Sequence, residues 1–228
     1  MKSRVSHRLR QTLAPNVLAV MRSENEPTQI CIIRHGEAVH NVHRGYPFPD
    51  PPLTERGYQQ ASAVSLDFKP DLIIVSPMRR TIETAFAAFT PVDTRESLPI
   101  EVWPDLREAH DGVCNHGSPV AVLQKEYPHL DFSECNSEWT YAKHTHSGAE
   151  RRAERVRQRL KEHPAQKIVL ITHRGFIAYL VESDKFVNCE AGFFRFLAPE
   201  HAEANRMGHD PDGVLTDYGP SVMCRVEG

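Results

Sequence analysis

The segment Cys31-Ile32-Ile33-Arg34-His35-Gly36-Glu37 runs an apolar stretch into an arginine, a histidine and a glycine. A strand that stops there presents an imidazole beside a guanidinium, on backbone free to turn sharply. That combination suits a nucleophilic histidine set next to a clamp for phosphate. Three further segments, Ser76-Pro77-Met78-Arg79-Arg80, Leu106-Arg107-Glu108 and Thr172-His173-Arg174-Gly175, each follow or interrupt an apolar run. They add cations, a carboxyl and a second histidine. Histidines and arginines meeting at one place suit a tetrahedral oxyanion better than a metal, which would want carboxylates or thiolates and would be repelled by guanidinium groups.

The elements that must position these residues are legible from pattern. Ile30 to Ile33 reads as a first strand, Asp71 to Val75 as a second and Ile168 to Ile171 as the clearest buried one, with weaker strands at Ile100–Trp103 and Phe193–Leu197. The Pro- and Gly-rich segment from His43 to Pro52 is a loop. Thr54 is an N-cap for a helix through Ala61, and Ser76-Pro77 starts a helix through Ala88. Ser147 with Glu150 makes a capping box for a helix to about Glu162. Its apolar positions Ala149, Ala153, Val156 and Leu160 leave the intervening arginines as a mostly solvated face. A helix from Gly175 to Val181 follows, and a polar loop ends the chain. Strands alternating with helices predict an α/β fold, a three-layer α/β/α sandwich on a mainly parallel sheet. His35, Arg80 and His173 then fall just past the C-terminal ends of parallel strands, the edge where open α/β sheets bind ligands. Arg80 also falls in a helix's first turn, whose free N–H groups favour an anion.

The chain has 228 residues, enough for one well-cored domain, and its 40% hydrophobic and 25% charged content is ordinary for a globular protein. A formal charge of −3 points to no nucleic-acid or membrane partner, so any pull on an anionic substrate is local. Five scattered cysteines without a CxxC read as reduced thiols, giving a cytoplasmic expectation. The expected organisation is an N-terminal extension over 1–28 and one domain over 29–228, with an insertion at about 111–146. Met1 to Arg22 is basic and lacks acidic residues, so a mitochondrial transit peptide stands as the alternative to a frayed extension.

With the order of these segments in view, the chain resembles the histidine phosphatases, the superfamily that includes the cofactor-dependent phosphoglycerate mutases. The resemblance runs from about Ile30 to Phe196. It is carried by the Arg-His-Gly-Glu opening, Leu53-Thr54-x-x-Gly57-x-x-Gln60-Ala61, Ser76-Pro77-x-x-Arg80 with Glu83-Thr84-Ala85, Leu106-x-Glu108-x-x-x-Gly112 and Thr172-His173. Glu108-Ala109-His110 and Phe186-Val187-Asn188-Cys189-Glu190 resemble a mutase-like branch of fungi and plants. Membership implies that His35 takes the phosphoryl group on a ring nitrogen. It implies that Arg34, Arg80 and His173 hold the non-bridging oxygens, that Asn41 helps line the pocket, and that Glu108 is the general acid and then the base for water. It implies no cofactor and no metal.

The implied activity is a histidine-type phosphoric monoester hydrolase acting on a small phosphorylated molecule, an ester or pyrophosphate. A phosphomutase and a non-catalytic phosphate-binding regulatory module are the alternatives. A mutase must hold a bisphosphate and exclude water, yet the insertion from Val113 to His146 offers only Lys125 and Lys143 as basic residues besides histidine. Arg174 stands where the family often has a small residue and either points away or adds a pocket charge. Gly192 replaces an arginine frequent in this branch. His40 with His43, and His144 with His146, have spacings compatible with metal ligation but are read as ordinary histidines. Arg79 is read as a surface residue, Cys114 near His116 as an ordinary thiol, and Trp139 and Tyr141 as packing the insertion.

Overall fold

The computed structural model describes residues 28–43, 45–89, 99–135 and 143–227. Most of the N-terminal extension, and Trp139 and Tyr141, lie outside the described residues.

Apolar runs dictate the centre of the molecule. β1 (Gln29–Arg34), β2 (Leu72–Val75), β3 (Ile100–Val102) and β4 (Lys167–Thr172) pair in parallel, in the order β3-β2-β4-β1. The sheet continues through β5 (Ala191–Phe196), antiparallel to β1, and β8 (Met223–Val226), antiparallel to β5. Because the central strands are covered on both faces, they read as continuous hydrophobic runs rather than alternating ones. Alternate residues still go to different cores. Ile30, Ile32, Ile168 and Leu170 meet α5 (His146–Glu162) and α6 (Arg174–Leu180) on one face. Cys31, Ile33, Val169 and Ile171 meet α3 (Arg79–Phe89) and α4 (Val120–Glu126) on the other. The result is an α/β/α sandwich with a mostly parallel six-stranded sheet. Two further helices, α1 (Val39–Val42) and α2 (Glu55–Ser62), follow β1.

Thr54 caps α2 as expected, accepting from the Gly57 amide at 3.0 Å. Two other starts differ from expectation. α3 begins at Arg79 rather than at Ser76-Pro77, because its first N–H is taken at 2.9 Å by the distant carboxylate of Asp50 while the Ser76 hydroxyl bonds His173. α5 begins at His146, capped by Thr145, whose hydroxyl accepts from the Gly148 amide at 3.2 Å; Ser147 lies inside its first turn. The polar C-terminal loop is more ordered than its composition suggests. It holds α7 (Pro199–Ala202), a hairpin of β6 (Met207–His209) and β7 (Leu215–Asp217), and then β8. Such short strands bury alternate single residues, Gly208 and Thr216 among them, and so leave little periodicity to read.

The arginines of α5 are not all solvated. Arg152 and Arg157 are buried among the apolar positions; Arg152 donates to backbone carbonyls, and Arg157 to those of Tyr179 at 2.8 Å and Leu180 at 3.1 Å and, through Nε, to the Glu154 carboxylate at 3.1 Å. A long side chain can lay its stem on apolar surface and send its head to stray carbonyls, which hydropathy counting misses. Among the described residues no helix is long and apolar enough to cross a membrane.

Candidate active site

β2, β4 and β1 are neighbours, so the residues after their C-terminal ends arrive side by side. His35 follows β1 and donates its backbone N–H to the Thr172 carbonyl at 3.0 Å, while its own carbonyl accepts from the Asn188 amide at 2.9 Å. The turn after it is braced by the other motifs. The Gly36 N–H donates to Thr84 Oγ1 at 3.0 Å and the Glu37 N–H to Gln60 Oε1 at 2.8 Å. Thr54 Oγ1 donates to the Glu37 carboxylate at 2.8 Å, and the Leu53 N–H to Glu83 at 2.7 Å. Gly57 allows the closest approach: a Cβ there would stand 2.0 Å from the Glu37 carbonyl oxygen. These segments therefore hold the histidine loop rather than the substrate.

The His35 ring is 2% exposed, and its Nδ1 faces the Gly36 carbonyl at 2.7 Å. A carbonyl only accepts, so Nδ1 carries the proton and Nε2 keeps its lone pair. No partner holds Nε2 among the described residues. Burial first, then the positive fields of Arg80 and Arg34, push the His35 pKa well below its ordinary 6.5. The imidazole is neutral at physiological pH. Arg34, 9% exposed, donates through one terminal nitrogen to the Phe186 carbonyl at 2.9 Å, and its Nε has no protein partner. Burial, then Arg174 nearby, lower its pKa to about 10, which leaves it charged at neutral pH.

His173 caps the start of α6 with its ring 5.2 Å from that of His35, edge to face. Its Nδ1 accepts from Arg80 Nε at 3.3 Å, so the proton sits on Nε2, which donates to Ser76 Oγ at 2.9 Å. Arg80 also donates to the Cys114 carbonyl and to Asn115 Oδ1, each at 3.0 Å. Both residues are fully buried. Burial, and then Arg80, depress the pKa of His173 as well.

These shifts carry a pH consequence. A histidine whose folded pKa lies below 6.5 leaves the unfolded chain binding more protons as pH falls, so its stabilisation is complete above that value and lost beneath it. His35 and His173 should each steepen the loss by up to about 1.4 kcal/mol per pH unit below about 6.5. Denaturant midpoints from pH 8 to 5 should fall most steeply below 6.5, and His173→Gln should flatten the slope. A slope unchanged by that variant would contradict the neutral assignment.

Glu108 arrives from the loop after β3. One carboxylate oxygen accepts from the Ala109 N–H at 2.7 Å and the other from the Gly175 N–H at 3.3 Å. A Cβ at Gly175 would lie 2.6 Å from the first oxygen, so glycine is what lets the carboxyl settle against α6. Arg152 anchors the segment from behind. It donates to the carbonyls of Asp105, Arg107 and Glu108, and its guanidinium lies over the Phe176 ring, 4.2 Å from the centroid.

Arg34, His35, Asn41 and Glu108 line one cleft of about 740 Å³, while Arg80 and His173 are fully buried next to His35 and outside that lining. The Asn41 side chain accepts from the Ala38 N–H at 2.9 Å and lies 3.2 Å from His40 Nε2. Arg174 adds its charge to the cleft lining, which resolves its two readings. His40 also lines the cleft, its pKa lowered by burial and then by Arg80 to about 3. His144 and His146 pack on Tyr179, and His146 pairs with Glu150 at 3.1 Å. Gly192 leaves room for Phe186, whose ring would stand 2.7 Å from an added Cβ. Arg79, expected at the surface, is half-buried and reaches from the buried carboxylate of Asp50 to Glu126. Sequence reasoning missed Ser76 as the partner of His173, Asn115 as the partner of Arg80, and the Lys185, Asp210 and Asp212 wall. Ser76 and Asn188 both lay inside quoted motifs, which is the signal that could have found them.

Residues 30–217 match the model of the histidine phosphatase superfamily (branch 1). Over 133 residues the chain is 32% identical to a probable phosphatase of Schizosaccharomyces pombe, a match covering 54% of this chain and 60% of that one. It is 32% identical over 126 residues to the mannitol-1-phosphatase of Eimeria tenella, covering 49% of this chain and 40% of that one. These matches thus span between two fifths and three fifths of the relatives' length. In fold it is similar to the Shigella flexneri alpha-ribazole phosphatase, with a TM-score of 0.51 and 22% identity over 74% of this chain and 91% of the other. It is also similar to the mycobacterial glucosyl-3-phosphoglycerate phosphatase, with a TM-score of 0.51 and 22% identity over 75% and 92% of the two chains.

Proposed function

As this chain belongs to the histidine phosphatase superfamily, we propose that it hydrolyses a small organic phosphate ester through a phosphohistidine at His35, without a metal. The observation that carries this reading is the pairing, on one cleft, of a neutral imidazole whose Nε2 is uncommitted with a buried guanidinium whose Nε has no protein partner. An unpaired buried donor beside a nucleophile is a place for a phosphate oxygen.

Nε2 of His35 attacks phosphorus, the bond from phosphorus to the ester oxygen breaks, and Glu108 in its acid form gives that oxygen a proton. Water then attacks the phosphohistidine, Glu108 takes a proton from it, and the P–N bond breaks to release phosphate and restore His35. Arg34 and Asn41 face the phosphoryl oxygens. Arg80 supplies positive field at His35, and the neutral His173 ring packs edge to face against it. The relatives named as phosphatases support hydrolysis as the outcome.

A mutase reading keeps one support, because the cations missing from the insertion are supplied near Glu108 by α5. Two assays separate the readings and test the metal question. With 3-phosphoglycerate, free phosphate should appear and 2-phosphoglycerate should not. With an aryl phosphate, turnover should survive a strong chelator, since the proposed route meets the phosphoryl charge with the guanidinium of Arg34 rather than with a metal ion. Interconversion of the phosphoglycerates would assign a mutase, and loss on chelation restored by a metal would refute the mechanism.

A further inference from the structure

Beside the cleft lies a second cavity, of about 220 Å³, at the N-terminal turn of α5. Arg107, Lys143, Arg151, Arg152 and Arg155 wall it, and Glu108 is the one carboxylate in its lining. The basic residues are not all neutralised from within. Arg155 is held by Asp105 at 2.8 Å and 3.1 Å, and Arg152 by neutral carbonyls. Lys143 and Arg151 have no hydrogen bond or ion pair among the described residues. The guanidiniums of Arg107 and Arg155 crowd Arg152 closely enough to add to the burial that lowers its pKa to about 9. The N-terminal end of the 17-residue α5 adds its partial positive charge. A compact space walled by like charges, smaller than the ~300–1,000 Å³ of drug-sized ligand sites, fits a small multivalent anion.

We propose that this cavity is a second oxyanion site, taking a phosphate group that is either free or the remote phosphate of a doubly phosphorylated substrate. Glu108 lines both cavities, so a substrate with two phosphates reaches from His35 across the acid into the arginines of α5. The site itself needs only the charge arrangement; its use by substrate rests on the phosphatase reading.

The test begins with calorimetric titration of the full chain with inorganic phosphate at low ionic strength. Two sites per chain are expected. The double variant Lys143→Glu/Arg151→Glu, at exposed positions, should keep only one, and Lys161→Glu near the far end of α5 should keep both. Kinetics then identify the source of the phosphate. If it belongs to substrate, the double variant should lower kcat/KM for propane-1,3-diol bisphosphate about tenfold and leave an aryl monophosphate within about twofold. Loss of the second site with the two rates changing alike would assign it to free phosphate. A single site in the wild type, unaltered by the double variant, would overturn the proposal. A chain that binds two phosphates but turns over no ester would instead retain the site and sink the phosphatase reading.

Discussion

Replacing His35 with alanine is expected to abolish turnover while leaving the fold standing. The ring supplies the only protein bond to phosphorus in the proposed route, and a nucleophile that acts with its partners as a unit costs about 10⁴-fold or more when lost. The fold should survive, because what fixes this loop is backbone: the His35 N–H on Thr172, its carbonyl on Asn188, and the Gly36 N–H on Thr84. None of these uses the imidazole. Turnover of an aryl phosphate, read beside the circular dichroism spectrum and the denaturant midpoint, checks both halves. Retained activity would remove His35 from the chemistry. Lost activity with a lost fold would leave His35→Gln, which fills more of the ring's space, to decide.

Glu108→Gln should produce the second largest effect, and a selective one. A carboxylic acid matters most when the departing oxygen is a poor leaving group, since unassisted departure develops a full alkoxide charge. General acid assistance of that kind is worth about 10²–10⁴-fold. A nitrophenolate needs little help because its ring already spreads the charge. Glutamine keeps the shape, and its carbonyl oxygen can still accept one of the N–H groups of Ala109 and Gly175 that now hold the carboxylate. The variant should therefore cripple hydrolysis of an alkyl phosphate while sparing phosphorylation by an aryl phosphate. Because the same carboxylate serves water later, the comparison belongs to pre-steady-state bursts. Equal losses for the two substrates would make Glu108 a structural or substrate-binding group.

What the sequence made legible, and what it hid, divides along physical lines. β1, β2 and β4 were plain because strands covered on both faces must be apolar throughout. The placement of His35 and His173 was plain because a residue directly after such a run can only land at the sheet's edge. The start of α3 was hidden because its cap is Asp50, a long-range partner that no local pattern reveals. Arg152 and Arg157 were misread because a helix face tallied by hydropathy counts a guanidinium as wet, although stray carbonyls near α6 and after β3 can satisfy it. The wall formed by Lys185, Asp210 and Asp212 was hidden for a related reason. It is built by loops from the C-terminal third, where Lys185 pairs with Asp212 and Asp210 folds its own turn through the amides of Asp212 and Val214. Placement of that kind is a tertiary outcome. Even the motifs that pointed to the site were only partly about chemistry: Gly57, Gln60, Glu83 and Thr84 serve the shape of the turn after His35.

The most direct measurement of the central claim is to trap the covalent intermediate. Wild-type chain mixed with a radiolabelled aryl phosphate and quenched within the first turnover should yield protein label that is labile in acid and stable in base. Peptide mapping should place it on His35. Phosphorus-31 spectroscopy of the trapped protein should place it on Nε2, because Nδ1 is committed to the Gly36 carbonyl. Label on any other residue, or a full burst of alcohol release with no label on protein, would contradict the account.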